Sequence, residues 1–212
     1  METYEHEIQM INLFSGHFKQ KDKSRQKELD YCLEQNRNHP LIDQVYTFEH
    51  RFTYNDFFQN TVNHPNDINI LANGDIYFDE TLDLIQGIKE RECYALTRWE
   101  KVDGYLVSFK SRNQYNKQAK PEYSQDVWIF RGSVSGVDGD FHLGRAGCDN
   151  RIAALLMKSG YIVTNPSLDI KAIHVHAEQD RNYTMPQRVL PPYKWVYQTS
   201  LTQPKQGIYK RL

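Results

Sequence analysis

Short apolar runs that alternate with segments of helical period restrict most tightly how this chain can fold. Gln9 to Phe14 is an apolar run closed by Ser15-Gly16-His17, which predicts a buried first strand and a turn. Ser24 to Gln35 then places Leu29, Cys32 and Leu33 together, with Ser24 as the expected N-cap of an amphipathic helix. Leu41 to Glu49 predicts a second strand, Thr53 to Val62 a short helix with Phe57 and Phe58 inward, and Ile68 to Ala72 a compact apolar strand ending in Asn73-Gly74-Asp75. Helix, strand and helix again are expected over Glu80 to Lys89, Cys93 to Arg98 and Asn150 to Lys158. Such alternation argues for an α/β sandwich around a largely parallel sheet. In sheets of that kind ligands gather at the carboxyl ends of the strands.

A length of 212 residues suits one domain. It is expected to divide into a core over 1–183 and an extended tail over 184–212, where Pro186, Pro191, Pro192 and Pro204 break any helical period. Lys plus Arg number 26 against 27 Asp plus Glu, so a net charge of −1 provides no global field for nucleic acid or anionic lipid. Any such partner would be held by local patches. Cys32, Cys93 and Cys148 are odd in number and form no Cys-x-x-Cys pair, which points away from a disulfide framework or zinc and toward a reducing compartment. The acidic start carries no signal-peptide pattern and no run approaches the ~20 apolar residues of a membrane span, so a soluble cytoplasmic protein is expected.

Three segments carry candidate chemistry. The strand ending in Asn73-Gly74-Asp75 would deliver an amide oxygen and a carboxylate to an exposed edge, hard ligands suited to Mg²⁺ or Mn²⁺; the plain alternative is a turn. Asp149 and Asn150 open a helix closed by Gly160 before Tyr161, and Asp149 is either an N-cap or a carboxylate placed to accept a proton from an attacking hydroxyl. Ile170 to His176 alternates so that His174 and His176 share a face, as metal ligands or as structural polar groups.

Taken in order, these segments resemble glycosyltransferases of the GT-A fold. The narrower motifs are Asn73-Gly-Asp-Ile-Tyr-Phe-Asp-Glu-Thr81, Ser124-Gln-Asp-Val-Trp-Ile-Phe130 and Leu143-Gly-Arg-Ala-Gly-Cys-Asp-Asn-Arg151, and the resemblance runs from Ile11 to Tyr183. It implies a single GT-A (Rossmann-like) α/β/α sandwich with a mostly parallel central sheet. It also implies transfer of a hexosyl or pentosyl unit from a nucleotide sugar, UDP-linked in the first instance, to a hydroxyl acceptor. Asp75 would bind the cation bridging the donor diphosphate, Asn73 stands where relatives carry the first Asp of Asp-x-Asp, and His176, or else His174, would complete the metal site. Asp149 would be the general base of an inverting displacement, with Arg98 and Arg181 on the leaving phosphates and Asp126, Trp128 and Trp99 lining the donor or acceptor pocket.

Two basic runs leave the acceptor open. Lys19, Lys21, Lys23, Arg25 and Lys27 form one; Lys110, Arg112, Lys117 and Lys120, with Tyr115 among them, form the other. They are either solvated faces or a match for a polyanion. A glycan acceptor is the first reading, a hydroxymethylated pyrimidine of viral DNA the second, and a non-catalytic carbohydrate- or nucleotide-binding module the third.

Overall fold

The computed structural model of the protein describes residues 9–102, 104–109, 120–175 and 188–203. Its larger sheet has six strands: β1 (Ile11–Gly16), β2 (Gln44–Phe48), β3 (Ile68–Ala72), β5 (Glu92–Leu96), β8 (Val127–Arg131) and β9 (Ile162–Thr164), in the order β2-β1-β3-β8-β5-β9. Every residue of β1, β3 and β5 is buried, as expected of strands covered on both faces, whereas β2 at the edge keeps partly exposed positions. The β1–β2, β1–β3 and β5–β9 pairs are parallel, but β8 runs antiparallel to both β3 and β5. The expected mostly parallel sheet is therefore corrected to a mixed one. Its physical reason is that β8 enters from the end where β3 and β5 leave, which brings Asp126, one residue before β8, to their carboxyl edge.

A second sheet, which the sequence reading did not anticipate, has the order β4-β10-β6-β7, from β4 (Ile76–Phe78), β6 (Trp99–Val102), β7 (Tyr105–Ser108) and β10 (Ala172–His174). Its strands are three or four residues long, too short for periodicity to announce them. β4 begins directly after Asp75 and pairs antiparallel with β10, bringing His174 opposite Ile76. β6 pairs with the other side of β10 and places Glu100 opposite His174.

Two apolar clusters lie on the two faces of the larger sheet. On one, Phe14, Leu71, Trp128 and Phe130 pack with Tyr54, Phe57 and Phe58 of α2 (Tyr54–Thr61) and Ile152, Ala153 and Leu156 of α3 (Cys148–Lys158). On the other, Leu13, Ile70, Tyr94 and Ile129 meet Ile76 and Phe78 of β4 and Leu82 and Ile85 of a 3-10 helix over Glu80–Gly87, where an α-helix was expected. Helix α1 (Lys23–Arg37) borders β2 and β4. Asp22, not Ser24, is its N-cap, accepting from the Ser24 amide at 2.7 Å. Thr53 caps α2 in a reciprocal capping box with Asp56. Residues 188–203 cross the surface without regular structure: Val189 and Lys194 donate to the Ala146 and Asn150 carbonyls, and Asn165 Nδ2 donates to the Val196 carbonyl.

Gly74 is needed for a backbone approach. A Cβ there would lie 2.2 Å from the Gly16 carbonyl oxygen at the end of β1 and 3.1 Å from Leu29. The Leu29 side chain can shift but the Gly16 backbone cannot, so Gly74→Ala is expected to destabilise the protein by about 3 kcal/mol. In a thermal melt that is a loss of roughly 6–12 °C for a chain of this size; a Tm unchanged within error would contradict the tight approach.

Candidate functional site

Four elements deliver polar side chains to one edge of the larger sheet. β3 ends into Asn73 and Asp75, β5 ends into Arg98, β8 is preceded by Asp126, and α3 carries Asp149 in its first turn. β10 adds His174, β6 adds Glu100 and α1 adds Arg25. This is the carboxyl edge of β1, β3 and β5, where an open α/β sheet presents its binding crevice.

The contacts link into one chain of alternating charge. Arg25 donates to Glu28 at 2.7 Å and to Asp75 Oδ2 at 2.5 Å. His174 Nε2 lies 3.0 Å from the same Asp75 oxygen, and its Nδ1 lies 3.0 Å from Glu100 Oε2. Arg98 donates from Nε to Glu100 at 2.8 Å and from Nη1 to both oxygens of Asp126 at 3.1 and 3.2 Å, while stacking on the Phe109 ring at 4.4 Å. Asn73 joins Asp126 twice, by Nδ2 at 2.9 Å and by its backbone amide at 3.0 Å to the Asp126 carbonyl. Asn73 thus fixes Asp126.

These neighbours set the protonation states. Burial pushes the Asp75 carboxyl up, but His174 and Arg25 outweigh it and hold the group well below the usual carboxylate range. Burial lowers the His174 imidazole, yet Asp75 and Glu100 raise it to about 9, so it carries a proton at neutral pH. Burial works against the charge of Arg98 as well, and Asp126 and Glu100 overcome it. Asp149 is different. Burial, then the charge of Asp126, raises it to about 7.

Asp149 is not the N-cap. Gly147, at φ 81° in the left-handed region, occupies that position without a side-chain bond, and Asp149 follows in the first turn. Its Oδ1 accepts from the Cys148 thiol at 3.1 Å, with the Tyr54 hydroxyl at 3.5 Å, and the Gln125 amide also bonds it. No Lys or Arg makes an ion pair with it among the described residues. It stays partly open to solvent. A carboxylate in that state can take a proton near neutral pH, as a general base must.

The expected site residues therefore divide. Asp75, Asp126, Arg98, Asn73 and Asp149 stand together. Trp128 is 1% exposed within the core, its ring meeting Tyr54 edge-on, so it offers no face to a ligand. Trp99 is partly exposed and donates from Nε1 to the Ser167 carbonyl at 2.7 Å. His176 and Arg181 lie outside the described residues, as do Lys110, Arg112, Tyr115 and Lys117. Sequence reasoning missed Arg25 and Glu100 as members of the network. Glu100 is 74 residues from His174 in the chain, and no spacing rule links them.

As placed, Asp75 and His174 form an ion pair, and they would offer ligands to Mg²⁺ or Mn²⁺ only if the ion displaced the His174 proton and the Arg25 guanidinium from Asp75 Oδ2. Glu100 on the other imidazole nitrogen is the carboxylate that commonly orients a ligating histidine. Among the described residues no group of three or more His, Cys, Asp or Glu side chains is arranged to hold a metal ion, so the remaining positions would belong to phosphate and water.

No protein-family model and no curated protein matches this sequence. Among the described residues, no helix is long and apolar enough to cross a membrane.

Proposed function

We propose that this protein is a nucleotide-sugar-dependent glycosyltransferase of the GT-A type, transferring its sugar to a hydroxyl, with a glycan as the first acceptor class. The observation that carries the reading is Asp149, a partly open carboxylate raised to about 7, on the same sheet edge as the Asp75–His174 pair and Arg98. A base that takes the acceptor's proton, together with stabilisation of the leaving phosphate, is what an inverting displacement requires.

The acceptor oxygen attacks the anomeric carbon as the bond to the diphosphate breaks. The acceptor proton goes to Asp149, and the bonding electron pair leaves on the phosphate oxygen. A divalent cation, when bound, supplies charge stabilisation to that leaving group. Asp75, and His174 once it has given up its proton, would hold that cation, with Glu100 orienting the imidazole. Arg98 holds Asp126 beside Asp149 and so helps set the base's proton affinity. Asn73 fixes Asp126 from the β3 side.

A panel of nucleotide sugars incubated with glycan acceptors, followed by mass spectrometry with and without chelator, tests donor, class and metal together. Expected is transfer, or slow donor hydrolysis, that chelation removes and that Asp75→Ala lowers by at least about a hundredfold, in line with loss of a metal ligand. Full turnover in a folded Asp75→Ala protein would remove the metal assignment. Hydroxymethylcytosine DNA belongs in the same panel, because Lys23, Arg25 and Lys27 cluster at the α1 end that reaches Asp75.

A further inference from the structure

Arg25 and Arg98 each hold two carboxylates. The arginines around the start of α3 hold none. Arg145 lies in the loop that leads into α3, just before the N-cap Gly147 and on the approach to Asp149. Its side chain makes no hydrogen bond or ion pair among the described residues, and its Nε is sealed from solvent without an acceptor. A guanidinium donor shut away from water calls for a partner, and the fold supplies none.

Two further guanidiniums reach the same loop. Arg51 comes from the segment before Tyr54, whose hydroxyl meets Asp149, and donates from Nη2 to the Leu143 carbonyl at 3.4 Å. Arg188 comes from the tail, where its Nε donates to the Tyr193 hydroxyl at 3.2 Å and its plane lies over that ring at 5.1 Å. The tail rests directly on the loop: Val189 donates to the Ala146 carbonyl, and a Cβ at Gly147 would meet Arg188 Nε at 3.3 Å. Arg51 and Arg188 are exposed, and none of the three arginines pairs with a carboxylate among the described residues. Like charges gathered around one loop repel one another unless an anion joins them.

We propose that Arg51, Arg145 and Arg188 bind a phosphate group of the acceptor beside Asp149. This inference rests on the reading of Asp149 as the base. Asp149 takes the acceptor's proton, so an anion held at the start of its own helix belongs to the molecule that carries the attacking hydroxyl. Planar guanidinium forks match phosphate oxygens in bidentate fashion. One cluster suits a single, doubly charged phosphomonoester, whereas a nucleic-acid strand calls for a groove that tracks successive phosphates. The acceptor narrows to a phosphorylated saccharide.

Inorganic phosphate and glucose-6-phosphate are the probes, titrated by phosphorus NMR so that no reading depends on turnover. Both should bind the wild-type protein saturably, and Arg145→Gln and Arg188→Gln should each weaken them about tenfold. Arg145→Lys, which keeps the charge but loses the fork, should fall between. UDP should leave bound glucose-6-phosphate in place. Circular dichroism establishes folding of each variant. No binding of either probe by the wild-type protein, or unchanged affinity in both Gln variants, would overturn the site. Displacement of glucose-6-phosphate by UDP would assign the arginines to the donor, and tighter binding of a single-stranded oligonucleotide, weakened in the same variants, would assign them to nucleic acid; either result overturns the acceptor proposal. Phosphate binding intact in a protein that transfers sugar from no nucleotide sugar would remove the transferase reading, and the acceptor role with it, while the anion site stands.

Discussion

Asp149→Asn is expected to lower sugar transfer by about 10²–10⁴-fold, the usual contribution of a positioned general base, with donor binding retained. Asn keeps the shape of the side chain but cannot accept the acceptor's proton. The wild-type rate should climb about tenfold per pH unit up to an apparent value near 7 and level off above it, because only the ionised carboxylate is the base. The charge of Asp126 contributes to that upward shift, so Asp126→Asn, by removing a neighbouring negative charge, should move the limb downward.

Stability gives an independent sign. The folded-state pKa of Asp149 lies above its ordinary value of 3.8, so its effect on stability is most favourable below that value and is lost as pH rises through about 7. Asp149→Asn should therefore be more stable than wild type at pH 8, with the gain vanishing toward pH 4. A residue kept at a cost to stability is what a working site predicts. A variant that loses activity together with stability at pH 8 would instead mark Asp149 as a structural group.

How much of this was legible beforehand varied with the physics of each element. β3 was read residue for residue from Ile68 to Ala72, because a five-residue apolar run closed by Asn-Gly-Asp has few alternatives. α2 and α3 were found within one or two residues, since amphipathic period and capping residues are local signals. The direction of β8 was not legible: an apolar strand reads the same way whichever end it enters from, and its partners β3 and β5 decide the orientation. The second sheet escaped because strands of three or four residues lack a period. In the site, Asn73, Asp75, Arg98, Asp126 and Asp149 were each singled out, but their joining was not. Asn73 was expected near a cation and instead holds Asp126; only the register of β3 against β8 brings the two within 2.9 Å.

Arg98 is where fold and site meet, and its removal should have the largest effect on stability. Its side chain is 19% exposed and bridges Glu100 and Asp126, whose side chains are 3% and 9% exposed. Arg98→Met keeps much of the apolar stem but leaves both carboxylates buried without that cation, and Asp149 already stands in the field of Asp126. Breaking a buried pair from one side costs about 3–5 kcal/mol, which for this length lowers Tm by roughly 6–20 °C. The loss should depend on pH in a defined direction. Without Arg98 the proton affinities of Glu100 and Asp149 rise in the folded state, so protons bind to the folded form first and the deficit shrinks as pH falls. Melts at pH 5 and pH 8 measure this directly, with the larger gap from wild type expected at pH 8. A gap of equal size at both pH values would assign the loss to packing against Phe109 and remove the charge network as the organiser of this edge.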